Sequence, residues 1–344
     1  FRLTPFGESH GPALGGVVDG CPSGIPRDEG AIQAELDRRK PGQGPASTAR
    51  KEKDQVRILS GVFEGRTTGA PIALLIENTD QRPRDYSRIK DVYRPGHADL
   101  SYDAKYGFRD YRGGGRASAR ETAARVAGGA VAQALLGSEG VEVFAYTMEL
   151  GGILAKPLDV AGAADRPFGS PDENAVPLWE ERVREVKSQG DSIGGVVEIT
   201  ARGVPAGLGE PVFDKLDARL AGALMSIGAV KAVEIGAGAA ASRLTGAQNN
   251  DPMTPDGFAS NNAGGILGGV SSGQEITARI HVKPIPSIAL EQQTRTASGE
   301  ATTLSVGGRH DVAAIPRINP VAKAMVSLTL ADFLLLQRRM RPRA

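Results

Sequence analysis

Polar and apolar positions along this chain follow two different periods. In Asp28–Lys40, Ala31, Ile32 and Leu36 fall on one face at helical spacing, which predicts a short helix. Gly69–Asn78, GAPIALLIEN, is a continuous apolar run between turn residues and reads as a buried strand. From Arg116 to Gly137 the residues Ala119, Ala123, Val126, Ala130, Val131, Ala134 and Leu135 recur near the helical period, so a second helix is expected there. Ser118 followed three residues later by Glu121 has the form of a capping box and puts that helix's start at Ser118. Further helices are expected over Asp214–Ile227 and, with a proline near its start, over Asn319–Met340. Ile276, Ala278, Ile280 and Val282 alternate with Thr277, Arg279, His281 and Lys283, a strand with one polar face. Residues 159–179 keep neither period and read as a long surface loop. An echo between GVFEGRTTGAPI at 61–72 and GVPAGLGEPV at 203–212 suggests an internal duplication. Helices and strands do not alternate regularly, so the fold class is α+β, one large layered domain spanning 1–344.

Composition narrows the class. With 344 residues, 40% of them hydrophobic and 24% charged, the chain can bury a full core. Lys and Arg number 41 against 40 acidic residues. The net charge of +1 gives no global pull toward nucleic acid or membrane, so any basic site must be local. The one cysteine, Cys21, excludes an internal disulfide framework and a cysteine-rich zinc site; it fits a reducing compartment, and a cytoplasmic location is expected. No apolar run is seen to approach the roughly 18–20 residues of a membrane helix, and the start has no signal-peptide pattern. The 45 glycines cluster in GPALGG, YRGGGRAS, GDSIGG, IGAGA and NNAGGILGGVSSG. Each cluster abuts apolar segments, as turns and close backbone approaches do and flexible tethers do not.

Several chemistries are absent. There is no GxxxxGK[ST] phosphate loop. GAGAAA at Gly236–Ala241 has the relaxed form of a dinucleotide fingerprint, but SRLTGAQNNDPMTPDG is turn-forming where a crossover helix is required. His10, His97, His281 and His310 form no ligand pair at short spacing, and no metal is expected.

What remains is local positive charge. Residues 82–125 hold eleven Lys or Arg against six Asp or Glu, and Arg38, Arg39, Lys40, Arg50, Lys51 and Lys53 flank PGQGPAST. A salt-bridged surface is the ordinary meaning of such runs. Here most of the cations are Arg, several stand beside glycines, and Arg116 and Arg120 flank the expected helix start, all of which favours a bound anion. His10 follows Glu8 and Ser9, Asp99 stands two residues beyond His97, and His310 lies between Arg309 and Asp311. An imidazole beside phosphate is pushed toward the cation and can protonate a departing phosphate. His281 belongs to the outward face of its strand. Two classes fit: a lyase or transferase acting on a small phosphorylated, carboxylated substrate, or a non-catalytic anion-binding oligomer. Titratable groups in three glycine-rich segments favour the enzyme, because binding alone needs arginines and not proton donors.

GESHGPALGGVVDGCPSGIP, RPGHADLSYDAKYGFRDYRGGGRASARETAARVAGGAVA and GRHDVAAIPRINPVAKAM resemble, in order and spacing, the three signature segments of the chorismate synthase family. LDRRKPG, GDSIGG, SNNAGGILGGVSSGQ and KPIPSI extend the resemblance over nearly the whole chain. It implies a shikimate-pathway lyase that converts 5-enolpyruvylshikimate 3-phosphate to chorismate and phosphate by 1,4-elimination. It also implies a requirement for reduced FMN, a β-α-β sandwich and a homotetramer. By the same resemblance His10 protonates the leaving phosphate, His97 manages flavin protonation, and Asp311 assists proton removal at flavin N5. Ser9, Arg39, Arg50 and Arg125 hold the substrate. FMN contacts fall on Arg116, Ala117, Ser118, Gly228, Ala229, Gly268, Lys283, Pro284, Ile285, Pro286, Ser287 and Arg309. Many relatives carry an Arg, linked to NADPH binding, where this chain has Gly44 and Pro45. The resemblance therefore implies at most an indirect use of NADPH and leaves room for a separate flavin reductase. Val312 and Ala313 stand where the family often has a cysteine after HD, and RINP replaces a more apolar run.

Overall fold

The computed structural model describes residues 1–42, 44, 46, 52–79, 89–306 and 310–340. The first half holds β1 (Arg2–Gly7), β2 (Ala13–Asp19), α1 (Glu29–Arg39), β3 (Val56–Ile58), the hairpin β4 (Val62–Phe63) and β5 (Arg66–Thr67), β6 (Ile72–Glu77), α2 (Asp99–Tyr106) and α3 (Thr122–Gly137). Next come β7 (Glu142–Leu150), β8 (Ile153–Leu154), α4 (Ala175–Ser188), β9 (Gly195–Arg202), α5 (Leu216–Met225), β10 (Val230–Ile235) and the single turn α6 (Gly246–Asn249). The hairpins β11 (Met253–Thr254) with β12 (Gly257–Phe258) and β13 (Ile266–Leu267) with β14 (Val270–Ser271) precede β15 (Ile276–Val282). The chain closes with β16 (Gln292–Arg295), β17 (Ala301–Leu304) and α7 (Ile315–Met340).

Two antiparallel sheets enclose a layer of helices. One sheet runs β1-β2-β6-β3 and the other β10-β15-β9-β7-β8. Between them α3 packs on β1, β2 and β6, α7 packs on β7 and β9, and the two helices pack on each other. The reason lies in the strands. In β15 the residues Ile276, Ala278, Ile280 and Val282 are buried while Thr277, Arg279 and His281 stay partly exposed, as the alternation requires. A face of that kind must be covered, and each fully buried Ile or Leu contributes about 1.5–3 kcal/mol.

Several expectations are corrected. β6 is not buried on both faces: Ile72, Leu74 and Ile76 point inward, whereas Ala73 and Leu75 are half-buried because no element among the described residues covers the outside of that sheet. Ser118 caps a single 3₁₀ turn, Ala119–Glu121, accepting from Arg120 N, and the α-helix begins only at Thr122. α7 starts at Ile315, so Pro320 lies inside it and Pro316 loses an i+4 donor. Residues 159–179 are no exposed excursion. Phe168 and Trp179 are buried edge to face at 6.0 Å, Trp179 Nε1 donates to the Ile153 carbonyl, and the segment runs into α4. The echo at 61–72 forms the β4–β5 hairpin, whereas 203–212 forms turns. Gly238–Arg243 is a 3₁₀ segment after an antiparallel strand, which removes the dinucleotide fold. α7 is long and apolar enough to cross a membrane by length and composition alone, contrary to the reading that no run approaches such a span. It is a core helix, its apolar window 67% buried within the protein.

Candidate active site

The turn between β1 and β2 carries His10, and Asn78 at the end of β6 fastens that turn. Asn78 Nδ2 donates to the carbonyls of Glu8 (3.1 Å) and Gly11 (2.8 Å). His10 is buried, with Nδ1 3.0 Å from Ser9 Oγ. Above it passes the glycine triplet 113–115. Gly113 has φ +66°, and a Cβ there would lie 2.2 Å from His10 Cε1. The glycines are present because backbone lies directly on the imidazole.

Asn78 also begins a buried chain of ions. Its Oδ1 accepts from Arg120 Nε at 2.9 Å, and Arg120 NH1 donates to Asp54 Oδ1. The other Asp54 oxygen accepts from Arg39 NH1 at 3.0 Å. Arg39 further donates to Thr122 Oγ1 (3.1 Å) and the Ala119 carbonyl (2.7 Å), so all three of its nitrogens are engaged. Burial works against the Asp54 carboxylate, but the two guanidiniums outweigh it and hold its pKa below the usual range. Burial, and then the nearby Arg317, press Arg39 down to about 9, which leaves it charged at neutral pH.

Across the opening, His97 Nε2 lies 2.8 Å from Ser287 Oγ, and Lys283 Nζ donates to the Gly96 carbonyl at 2.9 Å. Behind it Arg94 forms a bidentate pair with Asp99, 2.8 Å in each arm. Burial first, then Arg94, lowers the His97 pKa to about 4. The protein by itself thus keeps this imidazole neutral; the cation expected from the sequence is for an imidazole beside bound phosphate.

These segments surround a cavity of about 720 Å³. Its described walls carry eight Lys or Arg against five Asp or Glu, in a chain whose net charge is +1. Arg125 is fixed to the strand side by NH1 to Ser226 Oγ (2.6 Å) and to Glu121 by Nε (3.0 Å). Gly228 and Ala229 follow on the wall, Ala229 with φ +74°. Asp311 is held by Arg317 NH1 at 2.5 Å. Arg116, Ala117, Ser118, Lys283, Ile285, Pro286 and Ser287 also line the cavity. Ser9 and His10 lie behind Gly113. Pro284 and Gly268 are not on the wall; Gly268 turns the β13–β14 hairpin. Arg50, Pro45 and Arg309 lie outside the described residues. The residues sequence reasoning missed are Asp54, Asn78, Ser226 and Arg317. An acid inside the basic run KEKDQVR was the one available signal for Asp54.

A family model described as chorismate synthase matches residues 1–335. The chain belongs to the chorismate synthase family. A chorismate synthase of Oleidesulfovibrio alaskensis is 69% identical over 341 residues, 99% of this chain and 96% of that protein. One from Maridesulfovibrio salexigens is 65% identical over 340 residues, covering 99% and 97%. A chorismate synthase crystal structure superposes with a TM-score of 0.78 at 34% identity, over 98% of this chain and 92% of that one. The layered α+β fold is therefore that of the chorismate synthase family, and its cavity is where the family's chemistry must be sought.

Proposed function

We propose that this cavity performs the family reaction, 1,4-elimination of phosphate from 5-enolpyruvylshikimate 3-phosphate to give chorismate, with reduced FMN bound beside the substrate. The carrying observation is convergence. Segments at 94–125, 226–229, 283–287 and 310–317 meet around one basic cavity that also holds a neutral histidine and a carboxylate. The walls fit an anionic, ring-bearing cofactor: Ala229, Ile285 and Pro286 offer an apolar surface, and Arg116, Ser118 and Lys283 offer donors beside glycine backbone. When bound, the reduced flavin supplies electron density for phosphate loss and the N5 atom that takes up the substrate hydrogen.

The protein's own residues do the rest. The carbon–oxygen bond to phosphate breaks, a ring proton leaves, and the electrons form a double bond, with no net redox change. His10 gives a proton to the departing phosphate, oriented through Nδ1 by Ser9. Arg125 balances the substrate's anionic groups, while Arg39 and Arg120 supply fixed positive charge at the cavity wall. His97, neutral and bonded to Ser287, can donate or accept at the cofactor edge, and Asp311 is the base held ready by Arg317. With Gly44 and Pro45 where the resemblance implies an arginine, NADPH enters at most indirectly, which leaves room for a separate flavin reductase. The assembly is a cytoplasmic homotetramer.

The test is anaerobic. Purified protein, photoreduced FMN and 5-enolpyruvylshikimate 3-phosphate are expected to yield chorismate and phosphate in equal amounts, and nothing without reduced flavin. Flavin and substrate bound with no product would leave the non-catalytic anion- and flavin-binding oligomer instead.

A further inference from the structure

The most enclosed carboxylate of the site does not itself reach the cavity. Asp54 precedes β3 with its side chain wholly buried; Oδ2 accepts from Arg39 NH1 at 3.0 Å and Oδ1 from Arg120 NH1. Both arginines line the cavity, and no other carboxylate among the described residues bonds either guanidinium. Two features hold Asp54 there. Its backbone is left-handed, φ +48°, a conformation that Asp and Asn adopt more readily than other residues with a side chain. Gln33 of α1 clamps the chain on both sides of it, Oε1 accepting from Val56 N at 3.0 Å and Nε2 donating to the Lys53 carbonyl at 3.4 Å. From Arg120 the contacts run on to the proton donor. Nε donates to Asn78 Oδ1 at 2.9 Å, and Asn78 Nδ2 donates to the carbonyls of Glu8 and Gly11, on either side of Ser9 and His10.

We infer that Asp54 is a positioning residue for the elimination: with one guanidinium on each oxygen it sets Arg39 and Arg120 on the anion-facing wall and, through Asn78, fixes the His10 turn relative to them. The inference rests on the lyase reading. Without the carboxylate, Arg39 and Arg120 are two like charges in a desolvated wall and repel each other. Arg39 keeps the Thr122 hydroxyl and the Ala119 carbonyl and stays in place. Arg120 keeps only Asn78 among the described residues, so its displacement passes to the turn that carries His10. Misplacing a reacting group by about 1 Å costs about a hundredfold in rate. Both cations remain at the wall, so substrate binding suffers less than turnover.

Asp54→Asn tests this, because Asn keeps the shape and accepts a left-handed backbone but removes the charge and one acceptor. The FMN-loaded full chain is assayed anaerobically with 5-enolpyruvylshikimate 3-phosphate beside the parent protein. For Asp54→Asn, kcat is expected to fall about a hundredfold with KM within about fivefold of the parent's. Flavin affinity should be unchanged, since the walls at 116–118 and 283–287 hold none of Asp54's partners. A kcat within about threefold of the parent's would overturn the inference, as would kcat and flavin affinity falling in step with the folded circular dichroism signal. Asp54→Gly gives a second reading that does not depend on how Asp54→Asn folds. It is purified in formate, a carboxylate small enough to sit between the two guanidiniums. Exchanging formate for chloride at equal ionic strength should lower its kcat at least about tenfold with the circular dichroism spectrum unchanged. A kcat indifferent to formate overturns the inference, and so does turnover lost only together with the fold. A parent that binds flavin and substrate without forming product is failure of the lyase reading; a productive parent with an unaffected variant is failure of the role given to Asp54.

Discussion

His10 depends on a missing atom. Gly113→Ala would place Cβ 2.2 Å from Cε1 of the imidazole at a backbone φ of +66°, so either the ring or the triplet must move. Since a positioned general acid is worth about 10²–10⁴-fold, turnover of Gly113→Ala should fall at least about a hundredfold while FMN still binds. Parallel flavin titration and product assays decide it; unimpaired turnover would remove His10 from proton transfer. His97 makes a second prediction, in pH. Its folded pKa is about 4 against 6.5 for a free imidazole, so between those values the unfolded chain binds more protons. Stability is therefore full above about pH 6.5 and falls as pH drops toward about 4, by up to about 3 kcal/mol. Urea unfolding across that window should show the slope, and His97→Asn should flatten it. At this scale the sequence was legible where chemistry and glycine coincide, as around His10. Asp54 was not, because an acid among basic residues reads as a surface ion pair. Only the fold shows it 1% exposed with a guanidinium on each oxygen.

Element boundaries obey packing before local preference. α3 shows this at Gly129, in the middle of a helix, where exchange for Ala would ordinarily gain about 1 kcal/mol. Here a Cβ would lie 2.3 Å from Ala324 Cβ and 2.6 Å from Ala324 Cα, on α7. Separating two core helices costs about 1–3 kcal/mol, which exceeds the propensity gain, so Gly129→Ala should lower stability. A raised denaturation midpoint would instead mean that the α3–α7 contact relaxes freely. The same competition explains the misread starts. Ser118 and Glu121 have the letters of a capping box, yet the Arg39 side chain claims the Ala119 carbonyl and Thr122 Oγ1, and the segment tightens into a 3₁₀ turn. α4 escaped notice although Ala175, Trp179, Val183 and Val186 fall on one helical face, because Pro177 and the irregular residues before it read as loop. β15, whose alternation matches its sheet position residue for residue, was legible because nothing competes with it.

Over the whole molecule, the class α+β followed from irregular alternation, but the sandwich did not. Pairing Ala13–Val18 with Ile72–Glu77 joins strands separated by α1 and a hairpin, and no local pattern marks that partner. Charge was more legible: the local cation excess at 82–125 showed through the near-neutral total, and the fold gathers an excess of three cations among the described residues around one cavity. Apolar surface is the remaining imbalance. Phe213 is 94% exposed and Val212 75%, and the adjoining β13–β14 turn, to which Leu216 N donates through the Gly269 carbonyl, exposes Leu267. Burying a Phe contributes about 1.5–3 kcal/mol, and a symmetric assembly repeats that gain at every copy of the contact. If this edge carries the expected homotetramer, Phe213→Asp should break it into smaller particles while the isolated fold keeps its stability, because Phe213 touches little of its own chain. Sedimentation velocity at several concentrations measures this directly. A tetramer that persists in Phe213→Asp would move the interface elsewhere, and the exposed ridge at 212–213 would then need another partner.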